Sequence, residues 1–406
     1  MNGRARWWSG LGGALLILAA VPSMAQALPP GFGVVLVAAG FNHPTAFAFK
    51  GAQILVTEKS GQVRVVRPNG SIREIPFVTL NVAALQPEGG ILGIALDPNF
   101  SKNKFVYIYY TTAEGALAYS GSPQNRVSRF TFSGAGIGVD ETIIVDNIPS
   151  DTGHHNGGDI QFGFDGALYI AVGDSGSLEY AQTLDTLRGK ILRVNPDGTS
   201  PPDNPYKFAD GARRCGRPKG PPPGDGPCKE IWAYGFRNPY RFSLRQANNT
   251  YVVGDVGEST WEELDTLVKG GNYGWSVFEG PCLLGPDVNC TPDPVTYPRQ
   301  FQYPIHFYNH SGTGETGQSI IAGAFAENGS NYPPPYAGAY FYGDFSGRWV
   351  NVVTMDMSNM VTSWSTFDTV DRPVFFRNGP DGNLYVLSLG AGATGGALYK
   401  YVFTPP

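Results

Sequence analysis

The stretch IQFGFDGALYIAVGD, residues 160–174, predicts two short strands joined by a tight turn. Apolar residues lead into an Asp-Gly turn, and LYIAV follows as a second strand rich in β-forming residues. The same order of strand, turn and strand returns along the chain in segments 54–70, 92–112, 241–258, 320–356 and 374–390. Recurrence of one supersecondary unit is typical of a protein built from an array of repeats.

Six units of this kind predict an all-β fold, a six-bladed β-propeller in which each unit supplies one four-stranded blade. The composition agrees, because 54 Gly, 33 Pro and 13% aromatic residues favour many strands joined by tight turns. No long amphipathic helix and no linker interrupts the pattern, so residues 28–406 are predicted to form a single propeller domain. Loops from all blades of such a ring converge at the ends of its central channel, where residues distant in sequence meet.

The N-terminus has the pattern of a secretory signal peptide, predicted to span residues 1–27. Arg4 and Arg6 precede the apolar run GLGGALLILAAV (10–21), and small residues follow it up to Ala27. A membrane anchor is the alternative, although the run is shorter than the ~20 residues that span a bilayer. No later segment is apolar enough to cross a membrane, so we expect a periplasmic or secreted protein without stable membrane insertion.

Four cysteines agree with export, because disulfides form in oxidising compartments. The two local pairings, Cys215–Cys228 and Cys282–Cys290, would each close a short loop rich in Pro and Gly. Zinc is the rival interpretation, but neither pair has CxxC spacing. The formal net charge of −5, with no basic stripe in the sequence, argues against nucleic acid as a partner.

Two of the five histidines stand side by side as His154 and His155, just before the inner strand of the third unit. Gly157 and Gly158 follow, and they allow the backbone to pass close to other groups. A neutral imidazole at the mouth of a channel is a suitable general base near neutral pH. The alternative is a pair of loop histidines that hydrogen-bond to the backbone.

The segment EIWAYGFRNPYRFSL (230–244) places Arg237 and Asn238 directly before the first strand of the fourth unit. Arginine offers a planar fork of donors for carboxylates or carbonyls, and asparagine offers both a donor and an acceptor. The alternative is an arginine that stacks on a neighbouring ring and ties loops together. Glu88 precedes two glycines and the inner strand of the second unit, at the same position in the repeat as His155.

An acidic segment, GDVGESTWEELDTLVKGGNYGW (254–275), contains Glu258, Glu262, Glu263 and Tyr273 among several glycines. Carboxylates combined with backbone carbonyls of irregular chain suit a hard cation such as Ca²⁺. The alternative is a solvated acidic turn, since EF-hand spacing is absent. The remaining polar candidates late in the chain are expected to be structural or solvated on their own pattern; they are His306, His310, Arg348, Arg372 and Arg377.

Taken together, the segments HHNGGDIQFGFDGALYIAVGD (154–174), EIWAYGFRNPYRFSL and GDVGESTWEELDTL, followed by KGGNYGW, resemble the glucose/sorbosone dehydrogenase family. The resemblance runs in the same order from about residue 30 to the end of the chain. It implies a six-bladed propeller and a soluble aldose dehydrogenase that depends on pyrroloquinoline quinone (PQQ). It further implies oxidation of a sugar at its anomeric carbon to a lactone, with electrons passed to an external acceptor.

In that family the histidine of the H-x-G-G element is the general base, and this role falls on His155. Arg237 and Asn238 match the element that contacts the quinone, so Arg237 and Ca²⁺ would stabilise the negative charge that develops there. The resemblance also implies calcium ligands, by backbone carbonyl for the first two, at Gly257, Glu258, Glu263 and Tyr273.

Three further positions complete the implied cofactor-binding set, and each departs from the family pattern. Glu88 stands where glucose-oxidising members have Gln, and Arg348 stands where members that hold the cofactor firmly have Lys. Arg372 matches loosely one of two closely spaced arginines before the last P-D-G. These departures keep a second hypothesis open, a cofactor-free propeller that binds a glycan or a protein. A third hypothesis is a Ca²⁺-dependent propeller hydrolase acting on a lactone or ester.

Overall fold

In a computed structural model, which describes residues 28–113, 123–218, 225–284, 290, 292–327 and 329–405, nearly every regular element is a β-strand. The described part contains six four-stranded antiparallel sheets and a single short helix, α1 (Phe100–Asn103). Each sheet is one blade, and the strands are given from the channel outwards.

The first blade consists of β2 (Pro44–Lys50), β3 (Gln53–Glu58), β4 (Gln62–Val66) and β5 (Val78–Thr79). The second consists of β6 (Ile91–Leu96), β7 (Phe105–Thr111), β8 (Gln124–Phe132) and β9 (Gly138–Pro149). The third consists of β10 (Ile160–Phe162), β11 (Leu168–Val172), β12 (Lys190–Val194) and β13 (Ile231–Tyr234).

The fourth blade consists of β14 (Pro239–Arg245), β15 (Thr250–Asp255), β16 (Trp261–Thr266) and β19 (His306–Asn309). Between its last two strands lies a separate hairpin of β17 (Phe278–Glu279) and β18 (Cys282–Leu283). The fifth consists of β20 (Ile320–Phe325), β21 (Tyr340–Asp344), β22 (Trp349–Met355) and β23 (Val361–Thr369). The sixth consists of β24 (Pro373–Asn378), β25 (Leu384–Ser388), β26 (Gly396–Phe403) and β1 (Phe32–Phe41).

Strand β1 closes the ring, because the first strand of the chain is the outermost strand of the last blade. It pairs antiparallel with β26, from Phe32 opposite Phe403 to Phe41 opposite Gly396. The inner strands of neighbouring blades contact one another around the channel, including those of the first and sixth blades. The predicted all-β, six-bladed propeller is therefore confirmed.

The repeated turn has a common physical basis in the third and sixth blades. Asp165 accepts a hydrogen bond from the hydroxyl of Tyr169 at 3.0 Å, and Asp381 accepts the same bond from Tyr385 at 3.0 Å. The glycine after each aspartate has a φ of +75°, a conformation that glycine adopts without a steric penalty. The pattern D-G-x-L-Y thus fixes the turn and places the next strand in register.

The strands LYIAV and LYVLS are buried along their whole length, since each blade packs between two others. This two-sided burial explains why these strands read as continuous apolar runs instead of alternating with polar residues. The insertions between strands carry the disulfides. Both predicted pairings are present, Cys215–Cys228 with Cα atoms 5.4 Å apart and Cys282–Cys290 with Cα atoms 6.0 Å apart.

The predicted signal peptide, residues 1–27, lies outside the described residues. Within the described part, no helix has the length and apolarity needed to cross a lipid bilayer.

Candidate functional site

A cavity of about 420 Å³ occupies one mouth of the central channel, where the inner strands begin. Its polar wall comes from the first five blades and includes Lys59, Glu88, His155, Arg237, Asn238 and Ser319. Its apolar wall includes Leu92, Tyr240, Ile321, Phe345, Val374 and Leu389. A mostly apolar cavity of this size with a few convergent polar groups is typical of a small-molecule site.

His155 is held at the cavity wall by Asp174, which follows the second strand of the same blade. The Nδ1 atom of His155 lies 2.7 Å from Oδ1 of Asp174, and the indole N–H of Trp275 donates to Oδ2 of Asp174 at 2.8 Å. Because an ionised carboxylate only accepts hydrogen bonds, this contact places the proton on Nδ1 and leaves Nε2 as a proton acceptor. Asp174 also accepts the backbone N–H of Gly176 at 2.7 Å, which fixes its orientation.

The glycines around His155 are required by close backbone packing. His155 itself has a φ of +51°. A Cβ on Gly157 would lie 2.7 Å from the carbonyl oxygen of Ala171, and one on Gly173 would lie 2.1 Å from that of His155. The loop before β10 therefore lies directly against the end of β11, which brings the imidazole beside Asp174.

Arg237 and Asn238 reach the same cavity from the loop before β14. Their backbone N–H groups donate to the two carboxylate oxygens of Asp255, at 2.8 and 2.6 Å. The side-chain oxygen of Asn238 accepts the N–H of Gly157 at 3.0 Å, so it is bonded to the loop that carries the histidine. The guanidinium of Arg237 pairs with Glu258, at 2.8 Å from Nε to Oε2. Its charge is thus already partly compensated.

Glu88 lies beside His155 at the cavity wall. Its Oε2 accepts the backbone N–H of Asn156 at 3.2 Å and lies 3.5 Å from the side-chain nitrogen of Asn238. Its other oxygen is 3.8 Å from Nδ1 of His154, whose side chain is half exposed. The structure therefore brings four of the predicted residues together in one cavity, namely Glu88, His155, Arg237 and Asn238.

Two polar groups of the site were not identified from the sequence: Lys59, which lines the cavity, and Asp174, which is bonded to His155. The ammonium of Lys59 donates to the carbonyls of Ala84 and Gln86 at 2.9 and 2.8 Å, which fixes the loop that leads to Glu88. Burial lowers the pKa of Lys59, while the negative charge of Glu88 opposes this shift. Asp174 ends the segment AVGD (171–174), just after the second strand of the third unit. This position in the repeat is the one feature of the sequence that points to it.

Arg348 and Arg372 are not among the residues that line this cavity. Both lie near the carboxylate of Asp371, with Nε to Oδ1 distances of 3.5 and 3.4 Å. The side chain of Arg348 is 60% exposed, so it is solvated, whereas Arg372 also donates to the carbonyl of Gly390. Arg348, which stands where some family members have a cofactor-binding lysine, does not reach the cavity in this arrangement.

His306 and His310 lie outside the cavity, in and after the outer strand of the fourth blade. Nε2 of His306 is 2.7 Å from Glu315, and Nε2 of His310 is 2.7 Å from the fully buried Glu262. Glu262 also accepts the N–H of Ile320 from the fifth blade, at 2.9 Å. These contacts join neighbouring blades, in agreement with the structural interpretation.

The predicted calcium ligands are the backbone carbonyls of Gly257 and Glu258 together with Glu263 and Tyr273, and two side chains of this set have partners within the protein. The carboxylate of Glu258 faces Arg237, and the hydroxyl of Tyr273 is engaged, donating to the carbonyl of Thr266 at 2.7 Å and accepting the N–H of Val268 at 2.8 Å. Within the described ranges, no three His, Cys, Asp or Glu side chains converge as a metal site.

Glu263 is nevertheless part of a buried acidic group, which we term the β16 acid cluster: Asp255, Glu263 and Asp265. Asp255 lies opposite Glu263 in the pairing of β15 with β16, and Asp265 follows two residues later. Burial raises the pKa of Asp255 to about 7 and holds those of Glu263 and Asp265 well above their usual range, with neighbouring carboxylates adding to the effect. Oδ2 of Asp265 is buried and has no hydrogen-bond partner among the described residues, so this oxygen is available to a hard cation, although the three carboxylates do not converge on one point in this arrangement.

Comparison with known proteins agrees with this geometry. The family model described as "Glucose / Sorbosone dehydrogenase" matches residues 41–400. The chain is 26% identical over 397 residues to aldose sugar dehydrogenase YliI of Escherichia coli (strain K12), covering 92% of this chain and 94% of that protein. It is 27% identical over 280 residues to quinoprotein glucose dehydrogenase B of Acinetobacter calcoaceticus, covering 63% of this chain and 55% of that one.

The fold is shared with solved structures as well. The crystal structure of the soluble aldose sugar dehydrogenase from Escherichia coli in the apo-form superimposes with a TM-score of 0.74, over 92% of this chain and 100% of that one, at 24% identity. A family model that spans nearly the whole described propeller establishes the lineage. The chain belongs to the glucose/sorbosone dehydrogenase family.

Proposed function

We propose that this protein is an exported, PQQ-dependent aldose sugar dehydrogenase that oxidises the anomeric carbon of a sugar to a lactone. The observation that carries the proposal is the pairing of His155 with Asp174, at 2.7 Å, in the wall of a cavity that also holds Arg237 and Asn238. The two disulfides support export to an oxidising compartment, periplasmic or extracellular.

The cavity has the properties that a flat, polyanionic cofactor requires. Leu92, Ile321 and Val374 supply apolar walls, while Lys59 and Arg237 supply positive charge. Asn238 supplies a side-chain amide nitrogen whose one hydrogen bond within the described residues is long, 3.5 Å to Oε2 of Glu88. PQQ, when bound, would provide the acceptor for the two electrons removed from the sugar.

His155 would act as the general base. Its Nε2 accepts the proton of the anomeric hydroxyl, because the bond to Asp174 keeps the proton of the neutral ring on Nδ1. The imidazolium formed in this way is stabilised by the same carboxylate. Arg237, at the cavity wall, stabilises negative charge that develops on the oxidant. An external acceptor then has to remove the electrons before the next turnover.

Calcium is proposed at the β16 acid cluster, with Glu263 and Asp265 as carboxylate ligands. Three carboxylates buried together need a compensating cation or protons, since isolated buried charges are costly. Gly257, Glu258 and Tyr273 remain the other ligands implied by the family resemblance. Asp255 joins this cluster to the site, because it binds the backbone N–H groups of Arg237 and Asn238.

The test is reconstitution of the purified protein with PQQ and CaCl₂, followed by absorbance spectra and dye-linked oxidation of a panel of aldoses. We expect a change of quinone absorbance on addition of sugar, and loss of turnover by roughly 10²-fold or more in His155→Ala with PQQ binding retained. Binding of PQQ without oxidation of any aldose would contradict the enzymatic proposal.

A cofactor-free propeller that binds a glycan or a protein is the second candidate. It is favoured by the carboxylate of Glu88 in the cavity and by the positions of Arg348 and Arg372, which pair with Asp371 outside it. Calorimetry separates the two candidates, because the second predicts no heat of PQQ binding in the presence of Ca²⁺.

A further inference from the structure

A second cavity, of about 240 Å³, lies at the opposite mouth of the channel, where the inner strands end. We term it the lower cavity. Its aromatic wall includes Phe162, Phe325 and Phe376, and its polar wall includes Gln161, Ser243 and Arg377. None of these residues lines the cavity that contains His155.

Arg377 is the unusual group of the lower cavity. Among the described residues its guanidinium has no hydrogen bond and no ion pair, and its close neighbour is the ring of Phe375, with the guanidinium carbon 5.2 Å from the ring centroid. Burial lowers the pKa of Arg377, Asp159 raises it and Arg241 lowers it further. Arg377 is partly exposed and lines the lower cavity, so its unpaired donors are available to a ligand there.

The charges deeper in the channel do not compensate Arg377. The guanidinium of Arg241 donates to three backbone carbonyls, at 2.7 to 3.1 Å, and to no carboxylate. Asp159 is the carboxylate whose charge acts on Arg377. Its Oδ2 accepts the N–H of Phe242 at 3.1 Å, and its Oδ1 is buried with no hydrogen-bond partner in the described part of the chain. Two guanidinium groups and one carboxylate in this part of the channel leave an excess of positive charge.

From this excess we infer that the lower cavity binds a small oxyanion, a carboxylate or a phosphate, held in bidentate fashion by Arg377. The planar fork of a guanidinium matches the two oxygens of either group. The cavity volume is below that of typical sites for drug-sized ligands, which restricts the ligand to a few heavy atoms. This inference is independent of the proposed dehydrogenase activity.

The experiment titrates the full chain with sodium acetate, sodium phosphate or sodium chloride at equal ionic strength, by calorimetry and by thermal unfolding. We expect saturable binding of one oxyanion per chain and a rise of the unfolding temperature of roughly 2 °C at saturation, beyond the chloride arm. A response to acetate alone assigns a carboxylate, and a response to phosphate alone assigns a phosphate. Equal, unsaturated responses in all three arms would overturn the inference with the unmodified protein.

Variants locate the site. Arg377→Gln should remove the saturable response, and Arg377→Lys should weaken it by about tenfold, because the ammonium lacks the bidentate fork. Arg299→Gln, at an exposed arginine elsewhere on the surface, is the matched control and should respond as the unmodified protein does. Persistence of the full response in both Arg377 variants would overturn the assignment.

Discussion

At the scale of single residues, the hydrogen bonds of Asp174 determine what His155 can do. The carboxylate accepts from the imidazole, from the indole of Trp275 and from the backbone of Gly176, so its position is fixed on three sides. Arg237 and Asn238 are fixed in a comparable way through Asp255. Reactive groups in this cavity are therefore held by a second set of buried polar residues, which is the usual arrangement in a preorganised site.

We expect Asp174→Asn to lower kcat by roughly 10²–10³-fold while PQQ affinity stays within about threefold. The amide can donate to Nδ1, which would leave the proton on Nε2 and remove the base. Steady-state kinetics with a dye acceptor, together with calorimetric titration of PQQ, measures the two effects separately. Asp197→Asn, in an exposed turn of the same blade, is the control and should keep full activity. An unchanged kcat in Asp174→Asn would show that the base is another group.

Sequence reasoning reached part of this site. His155, Arg237, Asn238 and Glu88 share a cavity because each stands at the same place in its repeat, just before an inner strand. Asp174 and Lys59 each follow the second strand of a blade, which is also a fixed position in the repeat. A residue's position in the repeat does not determine the direction in which a long side chain points. Arg348 and Arg372 turn toward Asp371, a choice set by tertiary contacts.

At the scale of elements, β16 carries more buried negative charge than a strand normally tolerates. Burial raises the pKa values of Glu263 and Asp265, and it raises that of Asp255 to about 7. The negative charges of neighbouring carboxylates raise all three pKa values further. The sequence predicted the acidic segment but not its burial, because the alternation that would identify the buried face is obscured where Glu262 and Glu263 are adjacent and both buried.

The cluster makes stability depend on pH and on Ca²⁺. Because the folded-state pKa values exceed the unfolded ones, the folded protein binds more protons, and its free energy of unfolding falls as pH rises from about 4 through about 7. We therefore expect the unfolding temperature in chelator to be lower at about pH 8 than at about pH 5, and Ca²⁺ to restore it most at the higher pH.

Circular dichroism melts with EDTA or CaCl₂ at both pH values test this expectation, and Asp265→Asn serves as the comparison. Removing one buried carboxylate should stabilise the chelated protein at the higher pH and reduce the effect of Ca²⁺. Stabilisation by Ca²⁺ that is equal at both pH values, or larger at the lower one, would contradict a site in this cluster.

At the scale of the whole molecule, ring closure holds the site together. The cavity takes walls from all six blades, and the sixth blade is complete only when β1 pairs with β26. The local turn pattern predicted six units, because D-G-x-L-Y and similar turn sequences fix a strand pair within a few residues. It did not predict that β1 completes the last blade, since that pairing joins residues at opposite ends of the chain.

The closure can be tested on one strand with two substitutions. Phe32 packs against the rings of Tyr332, Tyr336, Phe367 and Phe403, with centroids 4.9 to 5.1 Å away, whereas Leu36 on the same strand is 57% exposed. Phe32→Ala should lower the free energy of unfolding by about 2–3 kcal/mol, and Leu36→Ala by about 0.5 kcal/mol or less. Denaturant titration measures both values. If the ring unfolds as one unit, PQQ-dependent activity should be lost in the same denaturant transition. Equal losses of stability in Phe32→Ala and Leu36→Ala would contradict the closing role of Phe32.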